Sequence, residues 1–321
     1  MSLQVIKSGF LSLVQDYGRY GFQSIGVTNG GPLDEHAFLW ANRLLGNDYN
    51  APQIEVSYGA FSATFLNSTM MAICGADLSA TVNDLAIKPW QSYIVHAGDT
   101  ISFKAPVTGL RCYLAVKGGF TVAPTLGSCA TVAREKLGGI TQDGEKLVEG
   151  NLVKYFPQPH ELTKRVPSTF VTGHSSESQP SESTSQYPKK INLRFIPNTS
   201  VTSAGEAALH TFTQYPYKVT PRIDRMGYRL SGAVINTPLA GIISQGISLG
   251  SIQVPKDGQP IVLMRDRQTM GGYPLLGCVA YLDLSKLSQS LPGTELSFTP
   301  ISVEAAEAEL IVHKRFFGVA H

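Results

Sequence analysis

The chain has little net charge and almost no cysteine, and each shortage excludes a class of function. Its 26 Lys and Arg stand against 24 Asp and Glu, a formal net charge of +2, and no basic run stands out. Nucleic acid and anionic membranes, which need a one-signed patch, are therefore not expected partners. Four cysteines, Cys74, Cys112, Cys129 and Cys278, lie far apart without a CxxC pair. In a chain of 321 residues they read as buried thiols in a reducing compartment, not as a disulfide frame. Met1 to Phe10 holds no apolar stretch long enough for a signal peptide. No window approaches the ~18 unbroken apolar residues of a membrane span. The expectation is a soluble, cytoplasmic protein.

Catalytic signatures are missing as well. No GxxxxGK[ST] phosphate loop exists; the nearest stretch, Gly139 to Gly144, is followed by Glu145 and Lys146, an acid where phosphate charge would sit. There is no HExxH, and the seven histidines are scattered, so no metal centre is expected. No GxSxG elbow is present. The Met-Lys-Met tripeptide that marks a biotinylated lysine is absent too, so no tethered biotin is expected.

What is present points to strands and turns. The length suggests two domains, and 31 Gly with 19 Pro favour short strands and tight turns over long helices. Strand-like segments recur between turn signals at Leu3–Lys7, Gln53–Phe65, Met70–Cys74, Leu78–Val82, Thr100–Lys104 and Arg111–Val116, several of them alternating polar and apolar residues. One helix is predicted at Leu33–Leu45, with an apolar stripe of Leu33, Ala37, Trp40, Ala41 and Leu44, Asp34 in its first turn and Gly46 as its stop. Strands are expected again at Asn192–Ile196, Ile247–Val254, Gln259–Met264 and Glu295–Phe298, with a hairpin turn at Lys256-Asp257-Gly258. A short helix is expected at Asp283–Gln289, and a final one capped by Ser302. Residues 157–190, rich in Ser, Thr, Pro and Gln, lack apolar periodicity and read as a linker or surface excursion. The division is thus a β lobe at 1–156, that linker, and a second β lobe at 191–321: a mainly β (α+β) chain with a few short helices.

Chemistry concentrates in the second lobe. Arg222, Asp224, Arg225 and Arg229 surround Gly227; Gln253 and Gln259 follow; then Arg265, Asp266, Arg267, Gln268 and Thr269 meet Gly271, Gly272 and Tyr273. Glycines let backbone N–H groups approach a ligand, arginine offers a planar fork to a carboxylate or phosphate, and a carboxamide reads both sides of an amide. Each residue alone is compatible with a turn or a solvated ion pair; together they suggest a small polar ligand. Asn29-Gly30-Gly31-Pro32-Leu33-Asp34 forms a second candidate, where free N–H groups at a helix start could face an anion. Arg43 has Glu55 as a possible partner. His36 and His96 read as surface or satisfied residues, not catalysts.

Several ordered runs resemble the allophanate hydrolase subunit 2, or biotin-dependent carboxyltransferase, family. They are Val14-Gln15-Asp16-Tyr17-Gly18-Arg19, Gly31-Pro32-Leu33-Asp34, residues 41–47, Tyr113 to Gly119, Leu126-Gly127-Ser128-Cys129, Arg225 to Leu230, Gly250 to Pro255, Asp257 to Ile261 and Gln268 to Pro274. The resemblance implies cyclophilin-like β-barrel lobes. Free-standing members of this size resemble the C component of bacterial 5-oxoprolinase, which implies ATP-dependent opening of 5-oxoproline to glutamate. It also implies two partners, a B component of the allophanate hydrolase subunit 1 type and a separate A component, with ATP and Mg at a site shared with them. Under that resemblance Arg225 and Arg229 stabilise carboxylate or phosphoryl charge, and Asp266 or Asp34 handles a proton. Gln253, Gln259, Gln268, Thr269, Gly271, Gly272, Tyr273, Asn29 and Arg43 hold the substrate. The same family implies two alternatives: a carboxyltransferase component using carboxybiotin on a urea-like acceptor, and an antagonist of a kinase-inhibitor protein. The sequence departs from the family pattern at Pro221-Arg222-Ile223-Asp224, which bears on substrate preference, and in its longer Ser-rich linker.

Overall fold

Asp34 starts the principal helix of the first half. Its Oδ1 accepts a hydrogen bond from the Ala37 N–H at 3.0 Å, so it is the cap that precedes α1 (Glu35–Leu45), not a residue of the first turn. Gly46, at φ 67°, closes the helix by donating to Arg43 and Asn42 carbonyls. The computed structural model describes residues 1–156, 158, 162–171, 187–198, 203–237 and 244–319. These residues form a mostly β chain with four α-helices, divided into two units. Unit 1 comprises Met1–Arg19 and Gly30–Tyr187; unit 2 comprises Tyr20–Asn29 and Pro188–His321.

The strands of unit 1 are β1 (Ser2–Ser8), β2 (Leu11–Gln15), β3 (Gln53–Ser57), β4 (Phe61–Phe65), β5 (Thr69–Asp77), β6 (Thr81–Val82), β7 (Leu85–Ala86), β8 (Gln91–Val95), β9 (Thr100–Ser102), β10 (Thr108–Val116), β11 (Phe120–Thr121) and β12 (Leu152–Tyr155). They make a seven-stranded sheet, β11-β12-β1-β4-β9-β6-β7, and a five-stranded sheet, β2-β3-β10-β5-β8. Alternate residues of both contribute to one apolar core: Leu3 and Val5, Phe61, Ala63 and Phe65, Met71 and Ile73, Cys112 and Leu114. Helix α1 packs on β5, β8 and β10 and buries Ala37, Phe38, Trp40, Ala41 and Leu44. The single strand expected over Gln53–Phe65 is two, because Tyr58, Gly59 and Ala60 all take positive φ. A Cβ on Gly59 would lie 1.7 Å from the Lys104 carbonyl oxygen, so the turn admits only glycine there.

Part of the stretch expected to be a linker belongs to unit 1. Ser92 and Val166 donate to the backbone of Lys164 and Trp90, and the Phe170 carbonyl lies 2.7 Å from His36 Nε2. Residues 172–186 of that stretch lie outside the described residues.

Unit 2 holds β13 (Lys190–Pro197), α2 (Ser203–Gln214), β14 (Tyr217–Ile223), β15 (Gly227–Ser231), β16 (Gln245–Gly246), β17 (Ser251–Gln253), β18 (Ile261–Leu263), β19 (Met270–Gly271), β20 (Leu275–Val279), α3 (Leu284–Ser288), β21 (Glu295–Pro300) and α4 (Val303–Phe317). Seven strands close into a barrel in the order β13-β20-β17-β18-β15-β14-β21; β16 and β19 form a separate two-stranded ribbon. β13 closes on β21 in parallel, Lys190 opposite Glu295 and Phe195 opposite Pro300. Phe195 and Phe298 pack with Phe212 of α2, the Phe212 and Phe298 rings 4.2 Å apart, which fills part of the core with aromatic surface. Ser302 caps α4 by accepting from Ala305 N–H at 3.2 Å, as its position predicts. No helix among the described residues is long and apolar enough to cross a membrane.

Candidate functional site

Strand register decides which side of the barrel each polar residue occupies. Tyr228 and Ile252 each lie opposite Val262 on the strand between them, and all three are fully buried, so they line the interior. Their neighbours Arg229, Ile261 and Gln253 form the next row and point to the opposite face. Gln253 is nevertheless only 2% exposed, because the β16–β19 ribbon lies against it. A Cβ on Gly271 would approach Gln253 Nε2 to 2.8 Å and Ile247 Cδ1 to 2.3 Å. Gln253 Nε2 has no hydrogen-bond partner among the described residues, an uncommon state for a buried amide.

The turn after β18 supplies the charge. The Met264 and Asp266 N–H groups donate to the Met226 and Arg225 carbonyls, both at 2.8 Å. That stitching brings the Arg225 and Asp266 side chains together: Nε donates to Oδ2 at 2.8 Å and Nη2 to Oδ1 at 2.9 Å. Arg265 donates to the Tyr20 and Tyr281 hydroxyls at 3.2 and 3.0 Å. Its guanidinium also lies over the Tyr281 ring, 5.6 Å from the centroid. Arg267, 5% exposed, donates from Nε to the Ile247 carbonyl at 3.1 Å and from Nη1 to the Met264 carbonyl at 3.4 Å. Its own carbonyl accepts from the Thr28 hydroxyl at 2.8 Å. Burial, with Arg265 alongside, pulls the Arg267 guanidinium down to about 10.

The expected site residues therefore divide. Gln253, Thr269 and Gly271 meet around Ile247, whose N–H donates to the Thr269 carbonyl at 2.9 Å. Gln268 is half-buried and Gly272 and Tyr273 are exposed beside them. Arg225 and Asp266, expected to act separately on charge and on a proton, neutralise each other. Arg229 pairs with Asp257. Gln259 locks the adjoining turn, its Oε1 accepting from Gly232 N–H at 2.8 Å. Asn29 Oδ1 accepts from Gln23 Nε2 at 2.7 Å.

The helix start in unit 1 corrects the second candidate. The N–H groups of Gly31, Leu33, Asp34 and Ala37, expected to face a ligand, donate to Gln15, Glu55, Tyr113 and Asp34. Asp34 is fully buried in that cap. Glu55, expected beside Arg43, is engaged within the sheet: its Oε2 accepts from the Tyr113 hydroxyl at 2.6 Å, and Arg111 lies 3.9 Å away. Arg43 is exposed and lies over Trp40, 6.0 Å from the ring centroid. The residues not singled out as site members beforehand are Arg265, Arg267, Ile247, Tyr281, Tyr20 and Thr28. Only the arginines left a signal, as part of the charged run before Gly271.

The family described as "Carboxyltransferase domain, subdomain A and B" matches residues 25–300. The chain belongs to that family. Among carboxyltransferase-domain relatives, the C component of 5-oxoprolinase from Escherichia coli is 33% identical over 98% of this chain and 96% of its own length. The protein of the same name from Haemophilus influenzae is 30% identical, covering 91% of this chain and 89% of its own. The crystal structure of the Kluyveromyces lactis urea amidolyase contains a region similar to 98% of this chain, with a TM-score of 0.86 and 26% identity. The chain spans 20% of that much larger protein. The family thus occurs in free-standing subunits and embedded in long carboxylases.

Proposed function

We propose that this chain is the C-type component of an ATP-dependent 5-oxoprolinase, working with partner chains to open 5-oxo-L-proline to L-glutamate. The observation that carries the reading is sequence similarity: the protein named as the C component of 5-oxoprolinase is 33% identical over 98% of this chain, against 26% for the matching region of the urea amidolyase. The unit 2 chemistry supports it. 5-Oxoproline is a planar lactam carrying a carboxylate, and unit 2 sets a buried guanidinium and a buried carboxamide around Ile247.

A lactam is resonance-stabilised, so its opening needs the carbonyl oxygen activated and a water delivered. In this reading the partner chains, of the B and A types, bring ATP with Mg and complete the site. Among the described residues no three His, Cys, Asp or Glu gather to hold a metal ion, and the ATP and Mg site is one that this chain shares with the partners. Its part is to hold and orient the ring with preorganised donors, which act on charge as it develops. The test is co-expression with the two candidate partners, purification of the assembly and measurement of ATP-dependent glutamate release from 5-oxoproline. No release from an intact assembly would remove the reading.

The urea amidolyase similarity favours one second reading, a carboxyltransferase component that passes a carboxyl group between carboxybiotin and a urea-like acceptor. Carboxyl transfer on adding a biotinylated carrier, with no glutamate release, would select it.

A further inference from the structure

The turn after β18 gathers three arginines, Arg225, Arg265 and Arg267, with one carboxylate, Asp266, and all four residues are buried. Arg225 takes both oxygens of Asp266 in a two-pronged pair. Arg267 is left with two backbone carbonyls and, among the described residues, no carboxylate within ion-pair distance. Asp266 acts on it only through space, which does not offset its burial, and a buried cation without a hydrogen-bonded counter-charge is costly to the fold that carries it. A buried, perturbed charge of that kind is a candidate for a functional group. The Ile247 carbonyl that Arg267 grips belongs to the residue whose side chain lies against Gly271, and Gly271 lies against the unpartnered Gln253 amide. A guanidinium without an ion-pair partner and a carboxamide nitrogen without a hydrogen-bond partner, both among the described residues, thus lie near one residue beneath the β16–β19 ribbon.

We propose that Arg267 and Gln253 form a docking point for a planar amide that carries a carboxylate. Arg267 receives the carboxylate with its outer N–H groups, and Gln253 bonds the amide. Arg225 and Asp266 do not touch the ligand; their pair compensates charge beneath it. Gly271 lies directly against the Gln253 amide, and a Cβ there would press on Nε2. Only the ligand's identity as 5-oxoproline rests on the function proposed above.

The experiment is isothermal titration of the full chain with three compounds, together with a thermal melt of each variant. L-5-Oxoproline and N-carbamoylglycine each carry an amide and a carboxylate; pyrrolidin-2-one is the lactam alone. Binding of at least one carboxylate is expected, at least about tenfold tighter than pyrrolidin-2-one. Arg267→Met should weaken it roughly ten- to hundredfold, as expected for a lost charge-assisted bond, without lowering the melting midpoint, because an unpaired buried charge is removed. Arg267→Lys, which keeps charge but not the fork, should fall between. Gln253→Leu should weaken all three compounds by about two- to tenfold.

The proposal is overturned if neither carboxylate binds the wild-type chain, or if Arg267→Met binds like wild type. A fall of the Arg267→Met midpoint by more than about 5 °C would show a structural arginine and overturn it equally. Binding of N-carbamoylglycine but not 5-oxoproline would keep the docking point and remove the 5-oxoproline reading. Binding of 5-oxoproline with an assembled complex that releases no glutamate would remove only the reaction.

Discussion

Replacing Asp266 by Asn tests whether the arginine-rich turn is balanced as the geometry implies. The change keeps the shape of the side chain but removes the charge that answers Arg225 at 2.8 and 2.9 Å. The two side chains are 6% and 7% exposed, so water cannot take over the lost role. Breaking a buried pair of this kind costs about 3–5 kcal/mol. Asp266→Asn belongs at the upper end, since Arg265 and Arg267 are sequence neighbours and lose the same counter-charge. Arg225→Met belongs lower, because those two arginines remain near the orphaned carboxylate. The double variant should cost little more than the worse single one, a coupling of about 2–3 kcal/mol. With a urea slope of about 2–3 kcal/mol/M, each single change moves the midpoint down by roughly 1–2 M. Far-UV circular dichroism should carry the measurement, because Trp40 and Trp90 both lie in unit 1 and their emission reports on that unit. Additive single changes, or single changes that leave the midpoint within about 0.2 M of wild type, would refute the reasoning.

Asp34→Ala should destabilise unit 1 by about 1–2 kcal/mol through loss of the α1 cap, read as an earlier tryptophan transition in urea; an unchanged transition would mean the cap is dispensable. Gly271→Ala should cost about 1–3 kcal/mol by overpacking against Ile247, and should reduce ligand affinity along with stability. Asp283 gives a pH dependence. Burial opposes its ionisation, but hydrogen bonds from the Arg194 side chain and N–H, with Lys286 nearby, outweigh burial and hold its carboxyl below the usual range. A depressed folded-state value means its stabilisation is fully present above the unfolded value of about 4. It is lost as pH falls below that value and through the folded one. Asp283→Asn should therefore flatten the acid limb of the stability curve; an unchanged acid limb would contradict the assignment.

Much of this fold is legible in the sequence where periodicity is clean. The alternation at Leu3–Lys7, the apolar run at Arg111–Val116, the stop at Gly46 and the cap at Ser302 all give elements close to those observed. The barrel is harder to read. β15 opens on Gly227 and β20 carries Gly277 in its middle, residues that weaken a strand pattern although the barrel pairs them. The helix α2 has a small, Thr-containing apolar face that gives little signal before Phe212. The insertion of residues 20–29 into unit 2 has no local signature at all.

The polar cluster before Gly271 is legible as a group, and its internal division of labour is not. One carboxylate stands among three nearby arginines at that turn, and only the fold reveals that Arg225 takes it and Arg267 does not. The same limit explains Arg43 and Glu55. Their types suggest a pair, but the β3–β10 register sets Tyr113 opposite Glu55 and assigns the carboxylate to Tyr113 and Arg111.

The most direct test reconstitutes this chain with candidate partners of the B and A types and follows 5-oxoproline, ATP and glutamate together. The account predicts glutamate formed in step with ATP hydrolysis only when all three chains are present. Full turnover by the two partners without this chain, or carboxyl transfer to a urea-like acceptor in place of glutamate, would contradict it.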